Sequence, residues 1–594
     1  MGGQTSYFVH QSFRGAAVSV FDLVIREGTL VDGRRTPRYL ADIGISDGKV
    51  ASIGRIPVGS ADREIDATGL IVAPGVVDLH THYDSQIYWD PWCSLSGWHG
   101  VTSVVIGNCG FGFAPVRADS RERAMLTMER NEAVPLACMQ QGMPWDWETY
   151  PEFLESLELT PKGVNVLSYV GLNPLLVWVM GSVEEAKRRS MTEAERAEAE
   201  RLLGEAMDAG ACGWSAQLLG EAGVQRDHDG TPMVTDLMSE DDMIFFAKAL
   251  GRIGRGVIQM IGQPRLAGIL AGHSGRPVIF NVLAPRTDQH GAPAEEHHVL
   301  IEWLARANSE GRRIIAQAVT CSQDYQFTLE DWNLFDTSPL WRELTLGTVP
   351  ERVAKMRDPQ RRAALHAEWE AGNAPLAGGG TEATDARLGV SLQDLVLAYA
   401  SSDAEHLRRF EGHTVAHIAD ELAVHPLDAF LDVSLECNLR AGWQSEPREV
   451  DVETMRAIAN CPYAVPGLSD GGAHTKFLTN ATYPTEFLAT WVRDEQIMGL
   501  EEAHWRLSAY SAQAAGLVDR GYLAEGMPAD IVVYDLEGLE LLPSERVADW
   551  PAGAWRLSRK AKGWRWTIVN GEITHIDGAC TDATPGHLLR HGTA

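Results

Sequence analysis

The sequence predicts an α/β fold, a (β/α)8 TIM barrel joined to a small β-sandwich domain assembled from both ends of the chain. Eight apolar runs of strand length alternate with helical stretches through the middle of the 594 residues, the pattern of a parallel sheet wrapped by helices. Short strands with turn punctuation recur at the two ends. The first of the eight runs finishes in His80-Thr-His82, where strand geometry turns two imidazoles to the same side.

Residues 1–20 lack a basic stretch and a sustained apolar core, so they are expected to be a disordered N-terminal extension. Residues 21–70 form the first part of the sandwich, through Phe21-Asp-Leu-Val-Ile-Arg, Gly28-Thr-Leu-Val-Asp-Gly33, Ala41-Asp-Ile-Gly-Ile-Ser-Asp-Gly48 and Lys49-Val-Ala-Ser-Ile-Gly54. The same texture returns over 511–580, in Ala529-Asp-Ile-Val-Val-Tyr-Asp535 and Trp566-Thr-Ile-Val-Asn570-Gly-Glu-Ile-Thr, with 581–594 as a tail. Between them, 71–510 is the expected barrel, with strands at 72–80, 101–107, 163–171, 211–215, 257–261, 278–283, 314–319 and 464–470. Thr192 ahead of Glu193-Ala-Glu-Arg reads as a helix N-cap with an acidic first turn. The interval of about 320–460 exceeds what one crossover needs and is expected to be a large insertion over the barrel mouth. Within it, Ala374-Pro-Leu-Ala-Gly-Gly-Gly380 reads as a mobile tip, and 390–399 and 426–435 as helical.

Composition narrows the function. With 81 acidic against 51 basic residues, a formal charge of −30 repels nucleic acid and anionic membranes. No apolar run approaches the roughly 18 residues of a membrane helix. Eight cysteines without paired spacing fit a reducing compartment. The expectation is a cytoplasmic enzyme acting on a small molecule, with a homo-oligomer left open.

His80 and His82 can share one cation. If the barrel closes, its first, second and eighth strands are neighbours, and Cys109, in Gly107-Asn-Cys-Gly-Phe-Gly112, and Asp470, in Gly467-Leu-Ser-Asp-Gly-Gly-Ala-His474, converge on the same ion. Glycines beside both let the backbone approach closely. Taken singly, Cys109 reads as a small buried apolar group and Asp470 as a loop cap. His474 either meets a substrate carbonyl or developing oxyanion, or fixes its own loop. Lys476 and Arg286 are candidates for a substrate carboxylate; Gln317 faces the same mouth if its side chain points inward. His99 is assigned to structure, and the pair His297-His298 to a helix surface.

Together, the opening strands, Val76-Val-Asp-Leu-His-Thr-His-Tyr-Asp-Ser-Gln86, Trp98-His-Gly-Val-Thr-Ser-Val-Val-Ile-Gly-Asn-Cys-Gly-Phe-Gly-Phe-Ala-Pro115, Ser469-Asp-Gly-Gly-Ala-His474, Met527-Pro-Ala-Asp-Ile-Val-Val533 and Ile568-Val-Asn-Gly-Glu572 resemble the amidohydrolase superfamily, specifically its D-aminoacylase branch of N-acyl-D-amino-acid deacylases. The resemblance covers about 21–580. It implies a metal-bearing barrel with a β-sandwich and hydrolysis of an amide; His80, His82 and Asp470 match site residues of the first and eighth strands, and Cys109 matches the branch's cysteine ligand. The chain also departs from the branch. Where a histidine is usual on the fifth and sixth strands it has Val257-Ile-Gln259-Met-Ile and Val278-Ile-Phe-Asn281-Val, and its third strand reads Tyr169-Val-Gly-Leu-Asn-Pro174. Gln259 and Asn281 offer neutral amide oxygens, poor zinc ligands beside imidazole or thiolate. One zinc ion held by His80, His82, Cys109 and Asp470 is therefore expected, with Asp470 as general base and acid and His474 beside it. The expected reaction is hydrolysis of a small N-acylated substrate such as an N-acyl-D-amino acid. Ring opening of a cyclic imide or lactam is the alternative within catalysis, and a barrel scaffold that has lost its metal the alternative outside it.

Overall fold

A computed structural model describes residues 20–592 apart from 222, 289, 291, 323, 332–333, 384–388, 447–448 and 478–479. The extension expected over 1–20 lies, but for Val20, outside them. Both ends of the chain meet in one nine-stranded sheet, in which Ile71–Pro74 pairs on one side with Phe21–Leu30 and on the other with Ile531–Tyr534, followed by Trp564–Val569 and Glu572–Ile576. Its apolar face buries Ile25, Ile43, Ile45, Val50, Ile531, Val533 and Ile568 in a core of its own. A single sheet drawn from both termini stands where a sandwich was expected, because Ile71–Pro74 hydrogen-bonds to both halves and joins them edge to edge.

The central part supplies eight short parallel strands in chain order: Val76–Asp78, Val101–Ile106, Asn165–Ser168 continued by Val170–Gly171, Gly213–Leu218, Val257–Gly262, Val278–Leu283, Ile314–Ala318 and Ala464–Pro466. Most of their residues are buried irrespective of which way they point, as expected of parallel strands covered on both faces. Helices fill the intervals. Glu193–Ala209 starts at Thr192, whose side chain accepts from Glu195 N–H while Glu195 reaches back to cap Thr192, satisfying two otherwise orphaned donors.

The ladder of the expected closed barrel is interrupted. The first three strands form one arc and the third to eighth another, joined at Tyr169, whose N–H donates to Ile106 O at 3.0 Å. The first and eighth strands share no ladder, only the bridge of Thr81 with Gly471, where His82 N–H donates to Gly471 O at 2.7 Å. Both strands are three residues long, and the chain leaving the eighth turns at once into left-handed conformations at Leu468 (φ 60°) and Asp470 (φ 48°), which a ladder cannot accommodate.

A second apolar core, around Trp341, Phe335, Phe430 and Trp443, is drawn from between residues 325 and 477 together with Ala133, and the same stretch carries a three-stranded antiparallel sheet of Gln326–Phe327, Gly442–Gln444 and Val396–Tyr399. Pro426–Glu436 is helical as read from the sequence, but 390–399 is not: Val396–Tyr399 is a strand, bonded through its backbone to the 442–444 segment. The expected mobile tip at 374–380 is instead packed, with Leu376 and Ala377 fully buried and Gly378 N–H donating to Leu334 O. His297 is also buried, within 2.9 Å of Ala294 O through Nδ1, and only His298 faces outward. Among the described residues, no helix is long and apolar enough to cross a membrane.

Candidate active site

The C-terminal ends of the first, second and eighth strands deliver His80, His82, Cys109 and Asp470 to one point. Donor atoms of His80, His82 and Cys109 all lie within 4.8 Å of one another. Cys109 Sγ is 3.3 Å from His80 Nε2, and Asp470 Oδ1 is 3.3 Å from His80 Nε2 and 3.7 Å from His82 Nε2. A tetrahedral ion bound at ~2.0–2.3 Å needs donors about 3.3–3.8 Å apart, so these residues fit a single divalent ion. Thiolate and imidazole are the donors zinc prefers.

Backbone geometry places them. Cys109 (φ 56°), Asp470 (φ 48°) and His474 (φ 53°) all occupy the left-handed region, conformations that cost about 1–3 kcal/mol each in non-glycine residues and persist only where the surroundings enforce them. Gly471 and Gly472 make the approach of the Asp470 loop possible: a Cβ on Gly471 would stand 2.6 Å from Ser96 Oγ, and one on Gly472, at φ 85°, would stand 2.8 Å from the His82 backbone.

The amides that stand on the fifth and sixth strands support this cluster. Cys109 N–H donates to Gln259 Oε1 at 2.7 Å, and the Asn281 carboxamide lies 2.7 Å from His80 Nδ1. The atom at that distance is Asn281 Nδ2, and Oδ1 has no partner; with the carboxamide turned over, its oxygen would accept from Nδ1–H and leave the Nε2 lone pair facing Cys109 and Asp470, the tautomer a ligand requires. Gln317, fully buried on the seventh strand, bears on the same imidazole without lining the cavity.

Electrostatics follow the burial. Desolvation pushes the His80 imidazolium down to about 3, so His80 is neutral. Desolvation acts in the same direction on His82 and His474, but Glu132 and Asp470 outweigh it and hold both above the ordinary value. Burial alone would raise Asp470; hydrogen bonds from His474 and His82 hold it well below the usual carboxylate range. Burial raises the Cys109 thiol against the pull of His82.

Glu132, which sequence reasoning missed, is fully buried at the end of the helix Arg121–Glu132, with Oε2 at 3.3 Å from His474 Nδ1; His474 Nε2 is 3.6 Å from Asp470 Oδ2. Thr475 N–H donates to Glu132 O and Thr475 Oγ to Ala133 O, latching the helix end to the His474 loop. The cluster opens on a cavity of about 190 Å³, which Asn281, His474, Tyr325, Phe477 and Asn480 also line. The two candidate cations are not among its lining residues. Lys476 pairs with Asp331 at 2.6 Å and lines a different cavity, and Arg286 lines neither. His99 is buried with both ring nitrogens engaged, by Thr485 Oγ1 and Arg559 O.

The fold has counterparts. D-aminoacylase superposes with a TM-score of 0.63 at 20% identity over 96% of this chain and 100% of that one. N-acyl-D-glutamate deacylase of Bordetella bronchiseptica, solved with zinc and a phosphonate mimic of a tetrahedral intermediate, gives 0.62 at 20% over 96% and 99%. In sequence, N-acyl-D-glutamate deacylase of Alcaligenes xylosoxydans xylosoxydans is 26% identical over 573 residues, 96% of each chain. Residues 63–575 match the amidohydrolase family, and with its paired histidines, cysteine and aspartate at the ends of parallel strands this chain belongs to that family, as a metal-dependent hydrolase of amide bonds other than peptide bonds.

Proposed function

We propose that the protein hydrolyses the amide C–N bond of a small N-acylated compound, using one zinc ion held by His80, His82 and Cys109, with Asp470 against the same ion and carrying the proton. The convergence of these four residues on one cavity carries the proposal. The reading takes the two arcs as one barrel wall with the chemistry at its C-terminal mouth, and the terminal sheet as the sandwich. Relatives named N-acyl-D-glutamate deacylase support an N-acylated substrate.

A divalent ion at these donors would polarise the amide carbonyl and acidify water to near neutrality. Asp470, ionised because its histidines hold it so, accepts the water's proton and passes it to the departing nitrogen. His474, held by Glu132 on one side, faces Asp470 with its other nitrogen and keeps that carboxylate turned to the cavity. Glycines 471 and 472 bring the loop close enough for this. A single ion is supported by the use already made of Gln259 and Asn281: their amides are committed to Cys109 and His80 and leave the fifth and sixth strands without a strong donor. A scaffold that had lost its metal would have no need of these supports.

Elemental analysis of the purified protein tests both parts. Close to one zinc per chain is expected, with activity lost on chelation and recovered on zinc addition. His80→Ala and His82→Ala should each lose ion and activity yet stay folded. Wild-type turnover in either variant overturns the assignment, and two ions of equal occupancy overturn the single centre.

A further inference from the structure

The geometry points to a substrate that is uncharged where it fills the cavity, an apolar amide whose own N–H and C=O meet the side chain of Asn480; this deepens the amide-hydrolase reading and rests on it. Asn480 is 3% exposed and lines the cavity, yet neither Nδ2 nor Oδ1 has a hydrogen-bond partner. Such a buried carboxamide is costly unless a ligand satisfies it. It offers one donor edge and one acceptor edge, complementary to another amide, lactam or imide and only half used by a carboxylate, which accepts but does not donate.

The rest of the wall agrees. Ile261, Val282, Val319, Leu334, Leu468 and Phe477 give the cavity an aliphatic and aromatic surface, and among the described residues no lysine or arginine lines it. Lys476 is spent on Asp331. His474 is paired with Glu132 and Asp470. The charge of a divalent ion would be matched by the two anionic donors, Cys109 and Asp470, so nothing is left over for a substrate carboxylate. An ionised group without a partner is strongly disfavoured in such surroundings. At −30 the protein also repels anions from a distance.

The experiment compares matched pairs on the zinc-loaded full-length protein: N-acetyl-leucine against its neutral carboxamide, each as D and L enantiomers, with a cyclic imide alongside. The neutral member of at least one pair, or the imide, is expected to show kcat/KM about 100-fold above that of the free acids. Asn480→Leu should raise KM for the neutral compound by about tenfold or more with the zinc content unchanged. Equal or faster hydrolysis of the free acids, with zinc bound, overturns the inference and leaves amide hydrolysis standing. Failure to hydrolyse any compound with zinc bound at one per chain overturns both. Because the matched pairs are measured on the unaltered protein, a misfolded Asn480 variant does not remove the test.

Discussion

Asn281→Leu isolates the claim that a neutral amide on the sixth strand acts by orienting His80. Leucine is close in volume and keeps the position filled, but offers no partner to His80 Nδ1, now 2.7 Å from the carboxamide. His80 is 1% exposed, so water does not readily replace the lost bond, and an unpartnered buried ring nitrogen costs about 1–3 kcal/mol. At 1.4 kcal/mol per factor of ten, zinc binding should weaken about 5- to 150-fold, which brackets the loss usual when a ligand histidine loses its supporting group. The assay is competitive titration with a chromophoric chelator, beside thermal melting of the zinc-free protein to show that the fold persists. Asn281→Asp puts an acceptor at the same place whichever way the carboxamide is turned, and should hold the ion at least as well as wild type. Unchanged zinc affinity in Asn281→Leu would refute the orienting role, and equal weakening in both variants would show that the site answers to packing alone.

Two further outcomes follow from the same geometry. Asp470→Asn should keep most of its zinc, because the three remaining donors stay in place, while turnover falls by roughly two to four orders of magnitude; loss of zinc in proportion to activity would make Asp470 chiefly a ligand. Zinc retention should also depend on pH. Binding must expel the proton of Cys109, whose thiol burial pushes up, and that of His82, which Glu132 and Asp470 hold on against desolvation. Affinity therefore climbs with pH and falls on acidification, by about hundredfold per pH unit while both protons are in place and about tenfold while only one is. Equilibrium dialysis across about pH 6 to 8 reads this directly, and a flat profile would contradict it.

Much of the site was legible because its residues obey short-range rules. His80 and His82 lie two apart at the end of a buried run, and period-two alternation places them together. Cys109 and Asp470 stand among glycines, and the left-handed turns found there are what such loops permit. Glu132 left no comparable trace. It closes a helix reading Arg-Glu-Arg-Ala-Met-Leu-Thr-Met-Glu-Arg-Asn-Glu, where a glutamate resembles any solvated charge, and only the latch between that helix and Thr475 brings it to His474. Lys476 sits two residues from His474 and was expected to share its cavity, but Asp331, 145 residues away, draws it elsewhere. The 390–399 segment suffered likewise. Its apolar residues suit a helix or a strand equally, and pairing with Gly442–Gln444 decided between them.

The sequence by itself therefore determined the order of parallel strands, the pairing of both termini around the central region and which side chains gather as candidate donors, since each depends on side-chain periodicity, glycine placement or ligand chemistry confined to a few neighbouring residues. Tertiary structure alone decided what those donors lean on, which charges reach the cavity and which are neutralised on the way. Those outcomes turn on contacts between segments more than a hundred residues apart, such as Gln259 with Cys109 and Asn281 with His80. Local pattern carries no information about such distances, because the free energy of a buried polar group depends on the partner that the fold brings to it.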